Sequence, residues 1–300
     1  LCQATFAGVG AFAAGQLGMH LGLPFLLGAV VGGLMAAAAG TVVAIVAIRV
    51  SGLLLALVTL AFALWADQSL FNYSWSGGGL TGVSVPRPVL GPVDFGSDRS
   101  FLLLCFVALV VVSALVFLVQ RGTVGRYLAA MRGSPTAASS MGISLRTARL
   151  TVFAMSAGIA GFGGALFGSA VGTVAATNFP YEFSLIFVVV VITTGSQTIE
   201  GAVQSGMGFY IIYELFQLYL PTRLDGLEPI LFAVGAMTYA AHPEGIVEYQ
   251  KSRWLARVSR LLRAYDERRA NGAGSPTGPP GAPGAPDRLP AASPVEAFGG

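Results

Sequence analysis

Residues 121–149 read RGTVGRYLAAMRGSPTAASSMGISLRTAR, with five arginines (Arg121, Arg126, Arg132, Arg146, Arg149) and no acid. Residues 101–119 before this stretch and 150–174 after it are almost purely apolar. A helix needs roughly 20 residues to cross a ~30 Å hydrocarbon core, and both runs reach about that length. Under the positive-inside rule, a basic segment clamped between two such runs is a cytoplasmic loop. The stretch therefore constrains both fold class and orientation. It also has internal order. Residues 127–131 favour a helical turn, and Ser134-Pro135 starts a second short helix, with Ser134 as N-cap and Pro135 at the first helical position. Ala137, Ala138 and, four positions on, Gly142 are small. A short helix that ends at a glycine on a basic loop reads as a docking knob.

The composition agrees with a membrane solvent. Charged residues make up 10% of the 300, against about 25% in soluble domains, and the mean hydropathy is +0.72. Forty glycines suit close helix packing in lipid. A net charge of +3 is too small to point to nucleic acid, and the basic residues sit where membrane topology places them. Cys2 and Cys105 lie in apolar surroundings without metal or CxxC spacing, and read as buried thiols.

In chain order, residues 1–18 are small and apolar, and 18–24 form a short turn. Residues 24–48 span, closed inside by Arg49. Residues 52–71 span back, with Asp67 and Gln68 near the outer end. An ionisable group in a span is a functional hypothesis by default, although a position at the headgroup boundary explains Asp67 equally well. Residues 72–100 form a polar outer loop. Its Gly77-Gly78-Gly79 lacks the GK[ST] ending of a phosphate loop. After the basic loop, residues 150–174 cross outward, and Ala157, Gly161, Ala165 and Ser169 at four-residue spacing make one smooth packing face. Residues 183–194, 203–220 and 229–241 give three further crossings, so the expectation is an all-α polytopic bundle with about eight crossings. Residues 247–270 combine Trp254, Val258, Leu261, Leu262 and Tyr265 with six arginines. That pattern fits a basic amphipathic helix lying on headgroups inside the cell or packing on a partner. Residues 271–300 are Gly/Pro/Ala-rich without hydrophobic period and read as disordered.

No nucleophile–base pair and no metal-ligand spacing is visible; His20 and His242 lie far apart at loop edges. No GxxxxGK[ST] motif occurs, so the chain is expected to bind no ATP and no cofactor of its own. Glu200 and Glu214 in apolar surroundings would suit a proton relay, which keeps a secondary, ion-coupled transporter open as the alternative.

Ala137-Ala138 followed by Gly142 resembles the coupling loop of bacterial ABC importer permeases. The wider string GRYLAAMRGSPTAASSMGIS, with Ala160-Gly161 and Gly163-Gly164-Ala165 after it, resembles the branched-chain amino-acid (LIV-type) permease family, specifically its M-type subunit. Thr136 stands where the broader importer pattern has a Glu, and Ser134-Pro135 replaces a Glu/Asn-rich step. Phe6, Gly8, Gly10, Ala11 and Phe12 match an early stretch of that family, and His242-Pro243-Glu244-Gly245-Ile246 its terminal motif. Residues 194–202 match a glycine-rich reversal in degenerate form. The resemblance covers residues 1–246 and implies a permease domain there, truncated at its start because the family has at least one helix before this point. It implies a non-enzymatic transport subunit of the cell inner membrane, multi-pass, with its C-terminus cytoplasmic. It further implies a second permease subunit, two cytoplasmic ATPase subunits that bind ATP and Mg, and an extracytoplasmic substrate-binding protein. Arg126, Arg132, Ala137, Ala138 and Gly142 would form the coupling contact; Ala157, Gly161 and Ala165 would pack helices; Asp67, Gln68, Glu200 and Glu214 would line the translocation path.

Overall fold

The computed structural model describes residues 1–47, 49–50, 52–73, 82–90, 93–94, 96–194 and 199–219. The helices are α1 (Gln3–Leu21), α2 (Phe25–Ala47), α3 (Leu53–Trp65), α4 (Asp98–Arg121), α5 (Thr123–Gly133), α6 (Pro135–Ser140), α7 (Leu145–Val171), α8 (Tyr181–Thr194) and α9 (Ile199–Tyr219). Short strands β1 (Val83–Ser84), β2 (Val89–Leu90), β3 (Val93–Asp94) and β4 (Thr173–Val174) lie between them. Among the described residues, four helical stretches are long and apolar enough to cross a membrane: Phe25–Ala47, Leu53–Leu70, Asp98–Arg121 and Leu145–Val171. The protein is a polytopic helical bundle. The stretches read as a last crossing at 229–241, as an amphipathic helix at 247–270 and as a tail at 271–300 lie outside the described residues.

The centre of the bundle is a seam of three helices, α1, α2 and α7. Small residues recur along each at intervals of about four, one helical turn. Gly10, Gly32 and Gly161 meet at one level: a Cβ on Gly10 would run into the Gly161 backbone, one on Gly32 into the Gly10 carbonyl, and one on Gly161 into Ala36. Ala14, Ala29 and Ala165 meet one turn away. On the other side Phe6, Ala36, Val43, Ala63 and Ala157 form an apolar knot. These pairings run α2 antiparallel to both neighbours. In lipid, where tails are as apolar as leucine, such close backbone approach is a main source of helix association. On α7 this seam takes in Ala157, Ala165 and Ser169, all fully buried.

Helix α7 begins at Leu145, inside the basic stretch, so Arg146 and Arg149 lie on its first turns and not on a loop. At its other end Gly172 takes φ +83 and closes the helix. The chain then pairs β4 with β1, Val83↔Val174 and Ser84↔Thr173. The Val85 amide donates to the Gly172 carbonyl at 2.9 Å, and Ser169 Oγ donates to the Pro86 carbonyl at 3.3 Å. The 82–90 segment is thereby strapped across the end of α7. Val83, Val85 and Val174 join Phe12, Phe71 and Phe179 in a second apolar cluster. Nearby, Arg87 forms a 2.8 Å ion pair with Asp98. Residues 74–81, with the triple glycine, lie outside the described residues.

Candidate functional site

The basic stretch folds as two short helices standing off the end of the bundle. Ser134, at φ −155 and ψ 111, is the N-cap of α6; its Oγ accepts from the Ala137 amide at 3.3 Å and shares a 2.9 Å hydrogen bond with Thr136 Oγ1. At the far end Gly142 takes φ +79. Its amide donates to the Ser139 carbonyl at 3.0 Å, and the Ile143 amide reaches back to Ala138 at 3.2 Å. Those two bonds are the 5→2 and 6→1 pair of a Schellman motif, which requires a left-handed residue between them. Ser139 Oγ and Ser140 Oγ donate to the carbonyls of Thr136 and Ala137 at 2.7 and 2.9 Å. Six residues are too few for helix propensity alone; the caps and side-chain bonds hold α6 in shape.

The two alanines point in different directions. Ala137 is exposed. Ala138 is fully buried, on a helix whose neighbours are α5 and α7. Ala138 is small because its own chain closes over it, which corrects the expectation that both alanines face a partner. Thr136, Ala137, Ser139, Ser140 and Met141 form the exposed side of the knob. Arg126, Tyr127 and Arg132 of α5 are exposed beside it. Arg121 lies over the Phe117 ring, 4.4 Å from its centroid. Among the described residues, no carboxylate forms an ion pair with any of the stretch's five arginines. A cleft of about 530 Å³ lined by Ile45, Arg49, Arg146 and Leu150 brings the end of α2 to the same side. Cationic groups from three parts of the chain thus share one end of the bundle.

Among the described residues, Asp67 and Glu200 lie toward opposite ends of α8. Asp67 lies in a π-helical turn, Ala66–Leu70, closed by the Phe71 amide on the Ala66 carbonyl at 3.0 Å. It lies close enough to Glu182, at the start of α8, to feel its charge. Gln68 is exposed. Glu200 is exposed on the first turn of α9, beyond the far end of α8. Helix α8 has 14 residues rising about 1.5 Å each, so a helix length of about 21 Å runs from the Glu182 end to the end that leads to Glu200. Glu214 is on α9, its side chain outside the described residues.

A family described as "Branched-chain amino acid transport system / permease component" matches residues 1–240. The chain belongs to this permease family. Among curated proteins it is similar to the "High-affinity branched-chain amino acid transport system permease protein LivM" of Escherichia coli K12, 30% identical over 250 residues, covering 74% of this chain and 59% of that protein. The protein of the same name from Salmonella typhimurium LT2 is 29% identical over the same span and coverage. The chain thus spans about three fifths of the length of the curated relatives it matches. No solved structure matches.

The permease also holds a half-enclosed cavity of about 430 Å³ between α1, α7, α8 and α9, on the side of α7 away from α2. Phe167, Phe179, Phe183 and Phe187 wall it, Gln3 and Asn178 lie along its edge, and the lining is almost wholly apolar. Sequence reading missed it. The Phe183/Phe187 pair, one turn apart on α8, was its visible trace, but Gln3 and Asn178 lie 175 positions apart in the chain.

Proposed function

We propose that this chain is a membrane-spanning subunit of an ATP-driven importer of branched-chain or related amino acids. In this reading the α5–α6 knob is cytoplasmic and takes the push of a separate ATPase subunit. A second permease subunit and an extracytoplasmic binding protein complete the assembly, and this chain contributes no ATP site. The observation that supports the coupling is the self-capped, exposed α6 on an acid-free arginine loop. Its shape is fixed before any partner arrives, as transmission of force by a small contact requires. The opposite end, with its strapped 82–90 segment, would receive the binding protein.

The clean test is Ala137→Arg, in the full chain with its partner subunits. Ala137 is exposed, so the bulk does not disturb the permease itself. An arginine at Ala138 would break the loop's own packing and blur the result. Insertion should be normal, uptake should fall by about tenfold or more, and the ATPase should copurify poorly or lose its stimulation by loaded binding protein. Undiminished ATP-dependent uptake in Ala137→Arg would show that α6 is not the contact. Uptake driven by an ion gradient without ATP would instead favour a secondary transporter.

A further inference from the structure

We propose that the cleft between the end of α2 and the start of α7 holds an anionic phospholipid, with its phosphate on Arg49 and Arg146 and the top of an acyl chain on Ile45 and Leu150. The inference needs only that the chain spans a membrane, and it stands apart from the transport reading above.

The cleft grows out of the central seam. At Gly40 the two helices touch: a Cβ there would strike the Ala157 methyl and crowd the Phe153 carbonyl. One to two turns further toward this end, Ile45 and Leu150 take the place of the small residues and line an opening of about 530 Å³ with Arg49 and Arg146. Ala44 and Ala47 near the end of α2 and Ala148 near the start of α7 are buried. Both walls are therefore set by the bundle's own packing, before anything enters.

The charges stand where a membrane presents phosphate. Phe25–Ala47 and Leu145–Val171 are both of spanning length. Arg49 is two residues past the end of the first, and Arg146 is the second residue of the other. Both arginines thus sit at the rim of the hydrocarbon, at headgroup depth, where fixed cations attract anionic lipid. Ile45 and Leu150 lie one turn inward on their helices, and Ile45 is more than half exposed from the rest of the chain. Among the described residues neither arginine forms an ion pair with an acidic side chain. Each keeps its forked donors for phosphate oxygens. Read inward from the membrane surface, the order is cation, then aliphatic side chain. A phospholipid has the matching order, phosphate, then acyl chain. An acidic side chain of a protein partner, or a free phosphate, would use the arginines and leave Ile45 and Leu150 uncovered. Two fixed positive charges also select a lipid of net negative charge, because the ammonium of a zwitterionic headgroup opposes them.

The test counts lipid on the protein. The full chain, purified in detergent with the subunits that accompany it, is titrated with dioleoyl phosphatidylglycerol and with dioleoyl phosphatidylcholine. Bound lipid is read by native mass spectrometry. Arg49→Gln with Arg146→Gln is compared with Arg126→Gln and Arg132→Gln, which remove the same charge from α5. Wild type should prefer phosphatidylglycerol, and the first pair should lose about tenfold in affinity for it, the size of one charge-assisted hydrogen bond. The α5 pair should bind as wild type does. Ile45→Ser with Leu150→Ser should weaken the same lipid by a smaller factor, and millimolar inorganic phosphate should not displace it. Arg49→Lys with Arg146→Lys keeps the charge without the fork and should fall between, a second reading should the glutamine pair fail to fold. No preference for phosphatidylglycerol, or equal losses in the two arginine pairs, would overturn the proposal and leave only a diffuse positive field. Displacement by inorganic phosphate would overturn it in favour of a free anion. Unchanged lipid binding in Arg49→Gln with Arg146→Gln, together with loss of an accompanying subunit, would overturn it too and make the cleft a protein contact.

Discussion

Helices α4 and α7 are both of membrane length, yet they are built from different residues. Along α4 run leucine, valine and phenylalanine, and Phe101 is its one buried residue. Leu102, Leu103, Phe106, Val111 and Leu118 all stand more than half exposed from the rest of the chain. Along α7 run glycine, alanine and serine, and seven of its residues are buried, none larger than serine. Hydropathy marks both as spans. Side-chain volume separates them: large residues face lipid, which fills any shape, and small residues face another helix, which does not. A helix can be highly hydrophobic and peripheral, or modestly hydrophobic and central.

This contrast explains what could be read in advance. The four-residue run Ala157, Gly161, Ala165 was visible because period and volume are properties of one segment. What it meets was not, because Gly10 and Gly32 lie over 100 positions away and no local rule fixes their register. Residues 1–18 looked like a featureless apolar opening, and they form the helix on which α2, α7 and α8 converge. The α6 knob was legible almost atom by atom, since Ser134, Pro135 and Gly142 act through bonds to residues within five positions. The burial of Ala138 was not, since it depends on the side that α5 and α7 occupy. The β1–β4 strap joins pairs of residues about 90 apart, too short to leave a pattern. Asp67 and Glu200 looked alike in sequence, and the length of α8 keeps them apart.

The sharpest way to break the comparison is a bulky residue in the seam. Gly161→Leu would drive a side chain into Ala36 and the Gly32 carbonyl, which rigid backbone cannot yield. A cost of about 4 kcal/mol or more places it among the exceptional substitutions. The expected outcome is loss of the folded permease from detergent extracts, read by size-exclusion profile and protease resistance. A stable, monodisperse Gly161→Leu protein would mean that α1, α2 and α7 do not close as tightly as described.

A smaller effect is expected at the knob. Gly142→Ala forces a Cβ into the left-handed region at φ +79, at about 1 kcal/mol for the local structure. The bundle should be unaffected, because among the described residues a Cβ on that glycine would meet nothing within 4 Å. Hydrogen exchange of a peptide covering 134–144 should quicken by about fivefold, with the spans unchanged. Equal protection in both proteins would show that the Schellman bonds do not govern the shape of α6.

The smallest effect is expected on α4, where the comparison is most exposed to refutation. Leu103→Ala removes three heavy atoms from a side chain that is 60% exposed. In a soluble core, Leu→Ala costs about 2–5 kcal/mol, partly as lost transfer energy and partly as a cavity. Neither part applies if α4 faces lipid. The side chain sits in hydrocarbon whether the helices are associated or apart, so the transfer contribution cancels, and fluid tails flow into the vacated space. Thermal stability in lipid nanodiscs should therefore match wild type to within about 0.5 kcal/mol, the ordinary scatter for exposed positions. A loss of 2 kcal/mol or more, on the scale of a core cavity, would mean that a solid surface covers α4. If the loss appears in the purified chain alone, α4 packs against another copy of itself. If it appears only in the assembled transporter, α4 is the face that meets the second permease subunit, and its large residues are anchors of that contact.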